Sequence, residues 1–223
     1  MECKNSIKLV GEIISPLEVE YKTGRQKFFK TFIKTLRTSG VPDVLQLSIP
    51  ENAIIEPIKE GLIVNIFGRL SSRNEVVNKI VNEVKETKAS KDVETDDSKP
   101  PKKKLVIFAF VNEINLLSAD MDIPDENNVV IEGYICKEPT YRETPNKKQI
   151  TDLFIASNGS HGKEYYIPTI AWGRNAKLTA AFEIGTKLKI EGRLQSRAYL
   201  KEGVEMIAYE LSASTVERIF DAK

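Results

Sequence analysis

The chain has 223 residues, enough for one large domain or two of roughly 100 residues each. A composition of 41% hydrophobic and 29% charged residues supports a packed core and excludes wholesale disorder. Thirty-three Lys and Arg against 32 Asp and Glu leave a net charge of +1, which excludes a polycation coating DNA over its whole surface but not a basic face.

In chain order, the first half offers the strand-like blocks Leu9-Val10-Gly11 and Phe32-Ile33, then Gly61-Leu62-Ile63-Val64-Asn65-Ile66-Phe67-Gly68-Arg69-Leu70-Ser71-Ser72-Arg73. Residues 74–104 read as an insertion. Val76, Val77, Ile80, Val81 and Val84 have helical spacing, and the Lys, Glu, Asp, Thr, Ser and Pro that follow cannot bury a core, so a mobile arm is expected. Residues 119–127, acidic and holding Pro124, read as a linker.

The second half is patterned mainly as strands. Val129–Cys136 opens, with Gly133 marking a bend; Thr144-Pro145-Asn146-Lys147 is a turn; Ile150–Ala156 and Tyr165–Trp172 follow. A short helix over Asn175–Phe182, stopped at Gly185, precedes strands at Leu188–Leu194 and Met206–Leu211. One helix between the third and fourth of five strands is the order of an OB-fold barrel.

The two halves repeat. The Gly61–Arg73 block returns at Gly185–Arg197, with Gly, Gly, Arg, Leu, Ser and Arg coinciding. Asn52-Ala53 answers to Asn175-Ala176, Leu9-Val10-Gly11 to Ile131-Glu132-Gly133, Pro16 to Pro139, and Phe32-Ile33 to Phe154-Ile155. The expected architecture is all-β with one short helix per domain: tandem five-stranded OB-fold barrels at 1–118 and 128–223.

Catalytic chemistry has few candidates. Cys3 and Cys136 form no CxxC, His161 is the sole histidine, and no phosphate-binding loop appears. No cofactor, metal or enzymatic activity is implied. No apolar run reaches the roughly 18 residues of a membrane span, and no signal-peptide core opens the chain, so a soluble intracellular protein is expected.

The second copy resembles the bacterial single-stranded DNA-binding protein family through Asn128-Val129-Val130-Ile131-Glu132-Gly133, Glu138-Pro139-Thr140-Tyr141-Arg142-Glu143-Thr144-Pro145-Asn146, Ile170-Ala171-Trp172-Gly173-Arg174 and Ile190-Glu191-Gly192-Arg193-Leu194-Gln195-Ser196-Arg197. The first copy is similar mainly through the repeat. The resemblance implies binding of single-stranded DNA without sequence preference in replication, recombination or repair. It also implies a homodimer presenting four OB-folds, replication proteins as further partners, no membrane, and a cytoplasmic, nucleoid-associated setting.

The resemblance places base-stacking positions at Tyr166, Trp172 and Tyr199, with His161 near a fourth. Phosphate-neutralising candidates are Arg142, Lys147, Lys148, Arg174, Lys177, Arg193, Arg197 and Lys201, with Arg69 and Arg73 from the first copy. Strand alternation puts Arg193, Arg197 and Tyr199 on one face. Phe154 and Phe182 are assigned to the core, and Phe67 to core or interface. Counting back from Asn52-Ala53 makes Asp43 and Ile49 the first-copy equivalents of Tyr166 and Trp172, a poor platform for a polyanion. An asymmetric protein is therefore expected, with stacking concentrated in the second fold. Two readings stay open beside DNA binding: a replication-assembly module whose OB-folds bind proteins, and an RNA-binding OB-fold protein.

Overall fold

The computed structural model describes residues 4–76, 103–118, 123–159, 163–201 and 204–220. In the first half the strands are β1 (Asn5–Ile13), β2 (Glu18–Thr23), β3 (Gln26–Leu36), β4 (Pro42–Pro50), β5 (Ile63–Val76) and β6 (Lys103–Leu116), with a single 3-10 turn at Glu51–Ala53. In the second they are β7 (Glu126–Ile135), β8 (Thr140–Glu143), β9 (Gln149–Asn158), β10 (Glu164–Trp172), β11 (Lys187–Lys201) and β12 (Val204–Arg218), with helix α1 (Arg174–Thr179) between β10 and β11.

Each half closes a ring. β1 pairs with both β3 and β5, β3 with β4, β5 with β6, and a parallel β4–β6 contact shuts the barrel. β7, β9, β10, β12 and β11 close in the same way through a parallel β10–β12 contact. β2 and β8 are short outer strands hairpinned onto β3 and β9. This is the tandem OB-fold arrangement expected, with one added hairpin strand per barrel; the short helix expected in each domain is α1 in the second barrel and, among the described residues, only the 3-10 turn in the first. Alternation supplies the interiors: Leu45, Leu47 and Ile49 on β4, and Ile167 and Ala171 on β10, are all 0% exposed.

Gly133 sits where β7 passes from β11 to β9. A Cβ there would stand 2.5 Å from the Ala156 carbonyl oxygen, and its counterpart Gly11 meets the Lys34 carbonyl at 2.2 Å. Only a glycine lets one strand close both sides of the barrel.

The boundaries differ in places from the sequence reading. β5 and β6 continue into the stretch read as an insertion, with Asn74 opposite Leu105 and Val76 opposite Lys103. The helical spacing at 77–84 lies outside the described residues. β7 starts at Glu126, inside the stretch read as linker, and α1 ends at Thr179 rather than Phe182.

The barrels are joined edge to edge. β1 and β7 pair antiparallel from Asn5 opposite Ile131 to Val10 opposite Glu126. Two side-chain latches repeat on the two sides. Tyr166 N donates to Ser72 Oγ at 2.9 Å, and Val44 N donates to Ser196 Oγ at 3.0 Å.

Candidate nucleic-acid interface

On β10, Tyr165, Ile167, Thr169 and Ala171 point into the barrel, so Tyr166, Pro168, Ile170 and Trp172 share the outer face. The parallel contact sets Ile170 beside Ser212 of β12, and Ser212 lies opposite Arg193 of β11. Arg193, Gln195, Arg197 and Tyr199 continue that face along β11, with Leu194 buried beneath. One outer surface therefore crosses β9, β10, β12 and β11. Trp172 ties two of its strands together, its Nε1 donating to Ser212 Oγ at 3.0 Å.

A groove of about 620 Å3 runs over this surface, lined by Trp172, Arg193, Arg197 and Lys148 of the second barrel and by Arg37 and Val41 of the first. Four of the residues singled out in the sequence thus meet in one place. Arg197 stands 5.9 Å from the Tyr199 ring centroid, cation and aromatic two residues apart along β11. Tyr166 is 39% exposed, and its hydroxyl donates to Glu164 at 2.9 Å; that carboxylate holds the phenol proton and raises its pKa.

The cations are not equivalent. Arg142 is committed to Asp152 at 2.5 and 3.2 Å, and Arg197 lies 3.5 Å from Glu210. Arg193 donates to Gln195 at 3.2 Å and keeps its Nε buried without a hydrogen-bond partner. Burial, with the neighbouring Arg37 cation second, lowers the Arg193 pKa. The groove is already crowded with positive charge before any anion enters. Lys147, Lys148, Arg174 and Lys177 make no ion pair among the described residues. Lys147 closes the β8–β9 turn with φ 57°, and Arg174 and Lys177 are exposed on α1, past the end of β10. Lys201 ends β11, and His161 lies outside the described residues.

Residues 126–219 match the model of the single-strand binding protein family. The single-stranded DNA-binding protein 2 of Streptococcus agalactiae is 31% identical over 98 residues, covering 41% of this chain and 75% of its own. The chain belongs to the single-strand binding protein family. The single-stranded DNA-binding protein of Clostridium tetani is 29% identical over 99 residues, covering 68% of that protein. Over its whole length this family member superposes on the wild-type single-stranded DNA-binding protein of Thermus aquaticus with a TM-score of 0.72, at 18% identity and over 96% of that chain. The likeness is one of fold.

Within this family member the first barrel carries a different outer face. The parallel pair Ser48–Phe110 corresponds to Ile170–Ser212, which makes Val44 and Pro50 the counterparts of Tyr166 and Trp172. Asp43 and Ile49, the counterparts expected from sequence, lie on the opposite pleat of β4 and are 0% exposed. The first barrel does hold aromatics, recruited from other strands. Tyr21 stacks on Phe28 at 4.5 Å, and Phe28 lies 6.1 Å from Phe110. Its own arginines cap the row: Arg69 sits 4.0 Å over Phe110 and Arg73 4.6 Å over Phe108. Arg73 is further held by Glu20 and Glu75.

One core assignment is corrected, and the core alternative for Phe67 is removed by its exposure. Phe154 stands on the outer face opposite Pro168, 5.9 Å from Tyr166 and nearly parallel to it, with Lys137 4.3 Å above its ring. Phe67 is 40% exposed, with the Lys8 ammonium 5.6 Å from its ring centroid. Phe182 does pack against the core. Arg37 and Val41 escaped sequence reasoning because they belong to a turn of the other barrel, where no local pattern links them to Trp172.

Proposed function

We propose that this protein binds single-stranded DNA, as its relatives' names state for them, that it does so without sequence preference, and that the second barrel does most of the stacking. Bases stack on Tyr166, Trp172 and Tyr199, with Phe154 extending the platform behind Tyr166. Arg193, Arg197 and Lys148 neutralise phosphates in the groove, and Lys147, Arg174 and Lys177 guide the strand beyond it. The observation that carries this reading is the meeting of Trp172 with those three cations in one groove on a continuous outer face. The arginine-capped aromatics of the first barrel support a lesser share for that fold.

The chemistry is binding rather than catalysis: stacking and charge neutralisation need no reacting group. The working form is a homodimer presenting four OB-folds, serving replication, recombination or repair on nucleoid DNA in the cytoplasm.

Titration with oligo-dT while following the emission of the single tryptophan tests the reading. Salt-reversible quenching of Trp172 is expected. Absence of quenching, together with no change in anisotropy of labelled oligo-dT, would overturn it. Preference for oligo-U over oligo-dT would instead make the ligand RNA.

A further inference from the structure

Arg37 belongs to the turn between β3 and β4 of the first barrel, where Arg37 N donates to the Val41 carbonyl at 2.9 Å. It nevertheless lines the second barrel's groove, beside Trp172, Arg193 and Arg197. The fixing point is Asp43, whose side chain is 1% exposed. Its two oxygens accept from Arg37 Nε at 2.8 Å and Nη2 at 2.6 Å. The same carboxylate accepts from Ser196 N at 2.9 Å, while Arg37 Nη2 also donates to the Ser196 carbonyl at 3.3 Å. Asp125, just ahead of β7, holds the turn from the other side by accepting from Leu36 N at 2.6 Å.

We infer that Arg37 is a phosphate-binding residue of the second barrel's groove, supplied by the first barrel and aimed by Asp43. Three of the guanidinium's hydrogen bonds are spent on its anchor, through Nε and Nη2. Nη1 has no acceptor among the described residues, and it remains as the donor for a phosphate oxygen. A guanidinium locked in this way loses little side-chain freedom when DNA arrives, which is the condition for a cation to add affinity. The repeat carries no equivalent: the ladder that matches Val44 to Tyr166 matches Arg37 to Gly159. The first barrel thus completes the second's site from a position that the second barrel fills with a glycine. The inference rests on the DNA-binding reading above.

The test uses the full chain and oligo-dT, with affinity measured by anisotropy across a salt series. Removing Arg37 alone strands a buried carboxylate, so the informative variant is the double one, Arg37→Met with Asp43→Asn, which leaves net charge unchanged. The slope of log affinity against log salt is expected to become shallower by about 0.7, one single-strand phosphate contact. Affinity at low salt should fall about tenfold, the worth of a charged hydrogen bond. Arg37→Lys, which keeps the charge but not the fork, should keep the wild-type slope with weaker binding. A double variant that melts at a lower temperature yet keeps the wild-type slope and affinity would make Arg37 a structural latch and overturn the inference. Failure of the wild-type chain to bind at all would instead sink the DNA-binding reading.

Discussion

Trp172 is the side chain on which the site turns, since it lines the groove and bridges β10 to β12 through Ser212. Replacing it with alanine is expected to cost roughly 1–3 kcal/mol of affinity for oligo-dT. The same change at Phe28, whose ring is stacked on Tyr21 with Phe110 close by, should leave affinity near wild type. Anisotropy titrations of both variants check the pair, and the reverse result would move the stacking platform to the first barrel. At this scale the sequence was readable where alternation decides the face, as for Arg193, Arg197 and Tyr199. It was not readable for Arg37, which bonds to Ser196 across 159 residues of chain. Nor was it readable for Phe154, whose apolar character reads as core although the pleat turns it outward.

Between elements, register matters more than composition. The repeat related the two barrels, yet matching Asn52-Ala53 to Asn175-Ala176 slipped β4 by one residue against β10. The 3-10 turn Glu51–Ala53 and helix α1 leave their strands differently, so the motif match runs one residue ahead of the ladder. A one-residue slip exchanges the two faces of a strand, which is how buried Asp43 was read as a surface equivalent of Tyr166.

A second register device is paired across the repeat. Asn127 Nδ2 donates to the Leu194 carbonyl at 2.7 Å and its Oδ1 accepts from Leu194 N at 3.0 Å, while Asn5 treats Leu70 the same way at 3.0 and 2.9 Å. Each amide stands in for a strand residue just past the bulge that bends β11 or β5. Asn127→Ala leaves both Leu194 backbone groups unpaired and should destabilise the fold by about 1–3 kcal/mol. The check is the midpoint of urea denaturation at unchanged slope. Gly133→Ala drives a Cβ against the Ala156 carbonyl and should cost about 1–3 kcal/mol by the same measurement.

The molecule as a whole is built about a pseudo-two-fold axis. Ile7 and Val129 occupy equivalent places in the repeat and pair with one another, so the axis passes between them. Asn5 opposite Ile131 and Leu9 opposite Asn127 are then related pairs on either side. The exposed Lys8–Glu126 ion pair at this seam contributes little, on the order of 0–1 kcal/mol. The backbone ladder and the buried Ile7 and Val129 contribute more, each apolar side chain on the order of 1.5–3 kcal/mol. Such a seam has a consequence for a single barrel. Residues 123–223 keep all five strands of their ring, but lose β1 and expose the β7 edge with its unpaired backbone groups and Val129. The symmetric register places Val129 opposite Val129 of a second copy, so this fragment should form a β7–β7 dimer whose dissociation depends on concentration. Light scattering over a dilution series checks it, with twice the fragment mass expected at high concentration. Val129→Lys would set two like charges on the axis and should return the fragment to monomer. A fragment that stays monomeric without that substitution would mean that the ladder and its latches hold two barrels together only when one chain tethers them.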